Sequence, residues 1–357
     1  MTKKDRLVAA FDADIDGILV TSELNQYYLT SFNYTDGFVL VTRGGSYLIT
    51  DFRYVEAAEK EAAKEFTVVM PESSMLMEIK ALLAENGVKK LYIEDKTLSC
   101  ADYLRFGETF EGVELVRGGS SLIEKMRENK TPEEIALMQK AQEITDAAFT
   151  HILGFIKPDM TELEVALELE FFMRGLGAQS VAFDTIAVSG AASSLPHGVP
   201  AQRKLERGFF TMDFGAKLDG YCSDMTRTVV LGKADADMKK LYNTVLQAQL
   251  AGIEAIKLGA NCRAVDKVAR DIIDGAGYKG LFGHSLGHGV GMFIHEAPNL
   301  SPKAPEERVL EVGHVVTCEP GIYIAGKYGC RIEDMLAVTE NGTHNFTKSP
   351  KELIELF

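Results

Sequence analysis

The first third of the chain alternates short apolar runs with amphipathic segments. "GILVTS" (17–22), "GFVLVT" (37–42) and "SYLITD" (46–51) are brief and rich in strand formers. "MLMEIKALLAENG" (75–87) carries apolar residues at helical spacing and ends in Asn86-Gly87, a helix-stop signal. "KLYIED" (90–95) returns to the strand pattern. This alternation predicts a small α/β domain built on a mixed sheet. Near 120–130 the pattern changes. "MRENKTPEEIALMQKAQEITDAAFTHIL" contains Thr131-Pro132-Glu133-Glu134. Thr131 suits an N-cap, Pro132 the first helical position, and Glu134 the return bond of a capping box. Ile135, Met138, Ile144 and Ile152 then form an apolar stripe. A long helix therefore opens a second domain, and the predicted division is 1–125 and 126–357.

The second domain repeats itself. "IKPDMTELEVALELEFFMRGLGA" (156–178) aligns without a gap on "IKLGANCRAVDKVARDIIDGAGY" (256–278). Each reads as a capped helix closing on G-x-G. "LERGFFTMDFG" (205–215) then resembles "LEVGHVVTCEPG" (310–321), with Thr211-x-Asp213-x-Gly215 matching Thr317-x-Glu319-x-Gly321. Two similar blocks in the same order predict an internal duplication, two α/β halves facing across a pseudo-two-fold.

Each half carries a hairpin with paired acids. In "FFTMDFGAKLDGYCSDMTRTVVL" a turn centred on Leu218/Asp219 sets Asp213 opposite Asp224, with Phe210, Met212 and Phe214 on the other face. In "VVTCEPGIYIAGKYGCRIEDMLAV" a turn around Gly326 sets Glu319 opposite Glu333. Adjacent carboxylates repel unless a proton or cation separates them. Four of them together call for two divalent cations.

Composition narrows the function classes. With 46% hydrophobic and 25% charged residues among 357, the chain reads as a globular protein of two domains. The net charge of -14 and the lack of a Lys/Arg run exclude a nucleic-acid partner. The opening "MTKKDRLVAAFDADIDG" lacks the apolar core expected of a signal peptide, and no run approaches membrane-spanning length. Cys100, Cys222, Cys262, Cys318 and Cys330 are scattered without a CxxC, so reduced thiols in a cytoplasm are expected.

"GHSLGHGVGMFIHEAP" (283–298) offers two chemistries. Gly283-His284-Ser285-Leu286-Gly287 fits a nucleophile elbow, but Gly287, Gly289 and Gly291 follow where that motif needs a helix. His295-Glu296 is not the start of HExxH, because position 299 is Asn. The histidines are better matched to the carboxylates. His288 lies between glycines that admit a bulge, and that bend can bring His288 and His295 to one cleft.

Asp213, Asp224, His288, Glu319 and Glu333, within "MDFGAKLDGYCSDMTRT", "GHGVGMFIHEAP", "TCEPGIY" and "RIED", resemble the ligand set of the pita-bread metallopeptidases. That family includes methionine aminopeptidases, Xaa-Pro aminopeptidases and proline dipeptidases. The first third, with "DFRY" at 51–54, is similar to the smaller domain of the proline-specific branch and of creatinases. The fold expected is thus α/β (α+β): a creatinase-like N-terminal domain and a pita-bread catalytic domain with pseudo-two-fold duplication. The resemblance implies two metals bridged by Asp224 and Glu333, with Asp213 on one and His288 and Glu319 on the other. It implies hydrolysis of an Xaa-Pro bond through a water between the metals, with Glu319 as general base. It also implies that His197, in "SSLPHGVP", and His295 stabilise the intermediate or hold the peptide. An oxygen-rich donor set with one imidazole suits Mn²⁺ first, with Co²⁺, Fe²⁺ or Zn²⁺ as alternatives. Tyr323 and Arg331, close in sequence to the ligands, are expected to orient the carboxylates. Phe183 is the candidate wall against the proline ring. Arg308 is the candidate for holding a dipeptide's carboxylate. A homodimer acting on peptides with proline second is implied, with no membrane partner. A methionine aminopeptidase, a metal-free creatinase and a non-catalytic binding module of the same fold are the rivals. The extra domain disfavours the first, and the complete ligand set disfavours the other two.

Overall fold

The four apolar runs of the first third become β1 (Gly17–Val20), β2 (Gly37–Thr42), β3 (Ser46–Thr50) and β5 (Lys90–Ile93), and two short strands that the sequence pattern did not single out, β4 (Thr67–Val69) and β6 (Glu114–Val116), join them. The structure is a computed structural model that describes residues 1–62 and 64–357. It separates into two units, Met1–Arg127 and Glu128–Phe357. In the first, the strand order is β4-β3-β2-β1-β5-β6. The three central hairpin strands β1, β2 and β3 pair antiparallel, and the flanking pairs are parallel. Helices α1 (Lys3–Ala9), α2 (Glu23–Thr30), α3 (Val55–Glu61), α4 (Met75–Glu85) and α5 (Cys100–Thr109) accompany the sheet. Ile79, Leu83 and Phe106 from the last two bury against Leu19, Leu40, Ile49 and Leu91. Helix α4 ends where the sequence signals it, with Gly87 at φ 65. Helix α6 (Gly119–Glu128) leads to the second unit.

The second unit opens with α7 (Pro132–Phe155). Thr131 Oγ1 accepts the Glu134 N–H at 3.3 Å, and Glu134 accepts the Thr131 N–H at 2.8 Å, which completes the capping box. The buried face is Met138, Ala141, Thr145, Ala148, Phe149 and Ile152, while Ile135 and Ile144 lie half-buried at its edge. The stripe is therefore narrower in large aliphatics than the sequence suggests. Small residues line its centre because a sheet packs closely there.

The duplication is explicit. Helix α8 (Glu162–Gly175) and its counterpart α10 (Cys262–Ile273) follow α7 and α9 (Ala236–Ala255) in the two halves. Leu205 N–H bonds Met160 O at 2.9 Å, and Leu310 N–H bonds Ala260 O at 2.9 Å. Bridges join Thr161 to Lys204 and Asn261 to Val309. Gly177 (φ 103) and Gly277 (φ 93) take left-handed backbone after the paired helices.

Strands β7 (Ser180–Val181), β10 (Ala216–Leu218) and β11 (Tyr221–Cys222) form a small sheet. Strands β8 (Ile186–Ser189), β9 (Gly208–Phe214) and β12 (Met225–Leu231) belong to the first large sheet, ordered β20-β12-β9-β8 with β20 at Glu355–Leu356. The second large sheet is β14-β13-β15-β18-β19. Its members are β13 (Gly287–Gly289), β14 (Glu296–Leu300), β15 (Val315–Cys318), β18 (Asp334–Thr339) and β19 (Gly342–Asn345), and β16 (Gly321–Ile324) and β17 (Tyr328–Arg331) make a separate ribbon. Phe210, Met212 and Phe214 bury against α7 and α8 through Phe149, Val165 and Leu169. Val316, Cys318 and Leu336 bury against α9 and α10 through Leu241, Val245 and Val265. Strand alternation then leaves the polar residues of both sheets on the opposite faces. Among the described residues no helix is long and apolar enough to cross a membrane.

A buried arginine ties the halves together. Arg227 on β12 donates to Asp334 Oδ1 of β18 at 2.9 Å, to Ser349 O at 2.9 Å and to Pro350 O at 3.0 Å. Its side chain is 1% exposed. Replacing it with Met removes the donor to Asp334 and to the carbonyls of Thr226, Glu333, Ser349 and Pro350, although Lys351 and Asn345 still reach Asp334. Arg227→Met is expected to cost about 3–5 kcal/mol of stability, read as a lowered urea midpoint at unchanged slope.

Candidate metal centre

The first hairpin turns on Asp219 (φ 47) and Gly220 (φ 81), with Leu218 opposite Tyr221. This corrects the register read from sequence. A turn centred on Leu218/Asp219 would put leucine in left-handed backbone, whereas Asp-Gly accepts it readily. Asp213 therefore faces Thr226, not Asp224. Asp224 lies two residues before Thr226, so it keeps the same face and sits diagonal to Asp213. In the second half one register runs from Cys318 opposite Asp334 to Gly321 opposite Arg331, which sets Glu319 against Glu333.

His288 occupies a distortion. Strand β13 shifts register against β14 between Gly287 and Gly289. A Cβ at Gly287 would stand 2.0 Å from Thr317 O, and one at Gly289 would stand 2.2 Å from Ala297 O. Only glycine allows both neighbouring strands this near. The His288 Nδ1 lies 3.1 Å from Gly289 O. A carbonyl can only accept, so Nδ1 carries the hydrogen and Nε2 presents its lone pair to the cleft. Nε2 is 3.6 Å from Asp224 Oδ2 and 3.4 Å from Glu319 Oε1.

Hydroxyls and one guanidinium hold the carboxylates. Thr226 donates to Glu333 Oε2 at 2.7 Å across the two halves, and Thr317 donates to Glu319 Oε1 at 3.2 Å. Arg331 donates to Asp213 Oδ2 at 2.7 Å, to the Tyr323 hydroxyl at 2.7 Å and to Pro196 O at 3.2 Å. Tyr323 in turn donates to His284 Nε2 at 3.0 Å, since His284 Nδ1 is committed to Ser285 O at 2.8 Å. Asp213 Oδ1 is buried with no hydrogen-bond partner. The halves are unequal at one position. Val188 faces Thr211 in the first sheet, whereas in the second the His288 backbone N–H donates to the hydroxyl oxygen of Thr317, the residue matching Thr211.

The electrostatics are one-sided. Burial, then repulsion from Glu333, Asp213 and Glu319, pushes Asp224 well above the usual carboxylate range. Burial, then repulsion from Glu319 and Asp213, raises Glu333, and burial raises Glu319 to about 8. Burial holds His288 down to about 4 and His284 down to about 4, the latter with help from Arg331. The protein has thus gathered acids that resist ionisation beside imidazoles that resist protonation. A multivalent cation would take the place of the acids' protons and accept the lone pair of His288. One oxygen each of Asp224 and Glu333 and a His288 nitrogen lie within 4.8 Å of one another. Together with the orphaned Asp213 oxygen, this donor set fits divalent metal.

These groups floor a cleft of about 740 Å³ that also admits Phe183, His197, His284, His295, Asn299 and Arg331. Tyr323 is reached through Arg331. Arg308 is not brought there. It pairs with Glu128 and lines a separate depression of about 590 Å³, which shares Ser285 and Asn299 with the cleft. Ser285 precedes β13 rather than a helix, so no nucleophile elbow forms. His284, Asn299 and the two threonines had no role at the site in the sequence reading, where Thr317 entered only as a marker of the repeat. The threonines carried a signal, since each stands two residues from a carboxylate along extended chain.

The chain matches two family descriptions, the Creatinase/Prolidase N-terminal domain over residues 5–129 and Metallopeptidase family M24 over residues 136–340. It is 38% identical to an Xaa-Pro dipeptidase of Pyrococcus horikoshii over 349 residues, covering 95% of each chain. A solved Xaa-Pro dipeptidase from Bacillus anthracis superposes with a TM-score of 0.95 at 47% identity, covering 99% of both chains. An X-Pro aminopeptidase from Thermotoga maritima superposes at 0.93 with 33% identity, covering 99% of this chain and 100% of the other. A duplicated fold with buried acids at its centre, a creatinase-type first domain and these likenesses lead to one conclusion: the chain belongs to the M24 metallopeptidase family.

Proposed function

We propose that the chain is a two-metal exopeptidase that hydrolyses the bond before a proline in second position. The observation that supports this reading best is the set of four carboxylates, two buried and two half-buried, gathered with one imidazole on the floor of the cleft. Asp213 would hold one ion, His288 and Glu319 the other, and Asp224 and Glu333 would serve both. The oxygen-rich set favours Mn²⁺. Bound divalent ions supply Lewis acidity and a water acidic enough to attack at neutral pH.

The chain's own groups do the rest. Glu319 takes the proton of the attacking water and passes it to the leaving nitrogen, with Thr317 fixing the carboxylate's orientation. His197 and His295 stand on the cleft wall to stabilise the developing oxyanion or hold the peptide. The His295 ring meets His288 edge-on at 4.5 Å. Arg331 fixes Asp213 and Tyr323. Phe183 offers an apolar wall to the proline ring. A prolyl bond has no amide hydrogen, so a site that grips through the carbonyl and ring shape loses nothing on it.

Charge placement favours peptides longer than two residues. Among the described residues lining the cleft, Arg331 is the one guanidinium or ammonium group, and it is spent on Asp213, Tyr323 and Pro196. Arg308 sits in the neighbouring depression, tied to Glu128. A dipeptide's carboxylate would enter an acidic cleft without a free cation.

Three outcomes are expected. Chelator-stripped enzyme is inactive and recovers with Mn²⁺, and mass spectrometry then shows alanine released from Ala-Pro-Ala faster than from Ala-Pro. Turnover unaffected by stripping, or cleavage of Met-Ala-Ser alone, would defeat the proposal. Glu319→Gln lowers kcat by about 10²–10⁴, measured at saturating metal. The third outcome concerns pH. Glu319, Asp224 and Glu333 keep protons in the metal-free fold that they lose when unfolded. Stability of the stripped protein therefore falls as pH rises from 6.5 through about 8, a window in which His288 is already neutral. Loaded protein shows no such fall. Thermal melts across that range, with and without Mn²⁺, compare the two.

A further inference from the structure

We propose that Lys130 and Glu296 form a positioning pair that sets His295 in the cleft. Glu296 is the first residue of β14 and follows His295 directly. Its Oε1 accepts the Phe293 N–H at 3.0 Å, and its Oε2 accepts the Lys130 ammonium at 3.2 Å. The carboxylate thus closes the short loop 291–295 on itself and fastens it to a fixed point. Lys130 is fixed because its N–H bonds Gly313 O at 2.8 Å and its ammonium also bonds Glu128 O at 3.3 Å. A Cβ at Gly291 would stand 2.4 Å from Glu296 Oε2, so the loop folds over the carboxylate only with glycine there. Its far end is held by the Cys222 N–H on Gly291 O at 2.8 Å. Met292 and Ile294 are buried, which leaves His295 turned into the cleft.

The Lys130 and Glu296 side chains are 1% and 7% exposed. Desolvating two charges this completely brings little or no net stability, and an apolar pair of the same size would pack as well. What the ion pair adds is direction. It fixes the carboxylate that fixes the Phe293 amide, two residues before the imidazole. A histidine on an otherwise free five-residue loop would sample many positions, and displacement by about 1 Å can cost two orders of magnitude in rate.

This inference rests on the role given to His295 above, so its test includes a readout that does not depend on turnover. Lys130→Met, Lys130→Arg and Glu296→Gln would be made in the wild-type chain, and Lys130→Met also in a His295→Ala background. With Mn²⁺ and Ala-Pro-Ala, K130M should lower kcat by about ten- to a hundredfold with KM little changed. K130R should restore most of it. In the H295A background K130M should add no further loss. In the metal-free protein, hydrogen exchange read by mass spectrometry should quicken in the peptide spanning 290–296 and nowhere else in the unit. An equal loss from K130M with and without His295, or unchanged kcat and unchanged exchange in K130M, overturns the proposal. If K130M does not fold, E296Q carries the same two readouts. H295A alone tests the earlier assignment of that histidine, while the exchange experiment tests the pair.

Discussion

Four carboxylates placed side by side on the floor of one cleft, two of them buried, repel one another, and much of the second unit answers that repulsion. The acids sit where two sheets turn their polar faces inward, while large apolar residues on the other faces hold the sheets against four helices. Arg331 is a single positive charge among four acids. Hydroxyls from Thr226 and Thr317 orient the oxygens without neutralising them. The folding energy stored in the two apolar layers is therefore what keeps an unfavourable charge cluster assembled. Arg227 has the complementary task, satisfying carbonyls and an acid where the strands of one half meet those of the other.

Close approach of backbone is the second constraint. Gly215, Gly287 and Gly289 each lie where a side chain would strike a carbonyl of the adjacent strand. These contacts bring Asp224 and His288, which neighbour the glycines in space or sequence, deep enough to share one floor. The sheet is distorted at its functional edge, and regular pairing resumes a few residues away.

Much of this was legible in the sequence because it is local or repeated. The duplicated helices show as a repeat at a hundred-residue offset, and strands β1, β2, β3 and β5 and the capping box at Thr131 rest on short-range patterns, whereas the three-residue strands β4 and β6 are too short to stand out. The pairing of Glu319 with Glu333 also rests on a short-range pattern, because glycine marks that turn plainly. The first hairpin misled by one residue at the turn, since Leu218-Asp219 and Asp219-Gly220 overlap and only the second fits positive φ at both positions. Alternation kept Asp213 and Asp224 on one face regardless. Contacts between distant segments were out of reach. Nothing near Lys130 points to Glu296, nothing near Arg308 points to Glu128, and His284 gains meaning only once Tyr323 and Arg331 stand beside it.

The valine at 188 stands where the second half has a histidine. A site made by two identical half-length chains would carry that position twice or not at all, so its two ion positions would be equivalent by symmetry. Fusing the halves into one polypeptide lifts this requirement. One ion position in the proposed arrangement can then use nitrogen while its neighbour uses oxygen alone. Two metals that differ in softness, in affinity or in order of arrival become compatible with a single active site. A gene duplication, on this view, supplied chemical inequality as well as extra length.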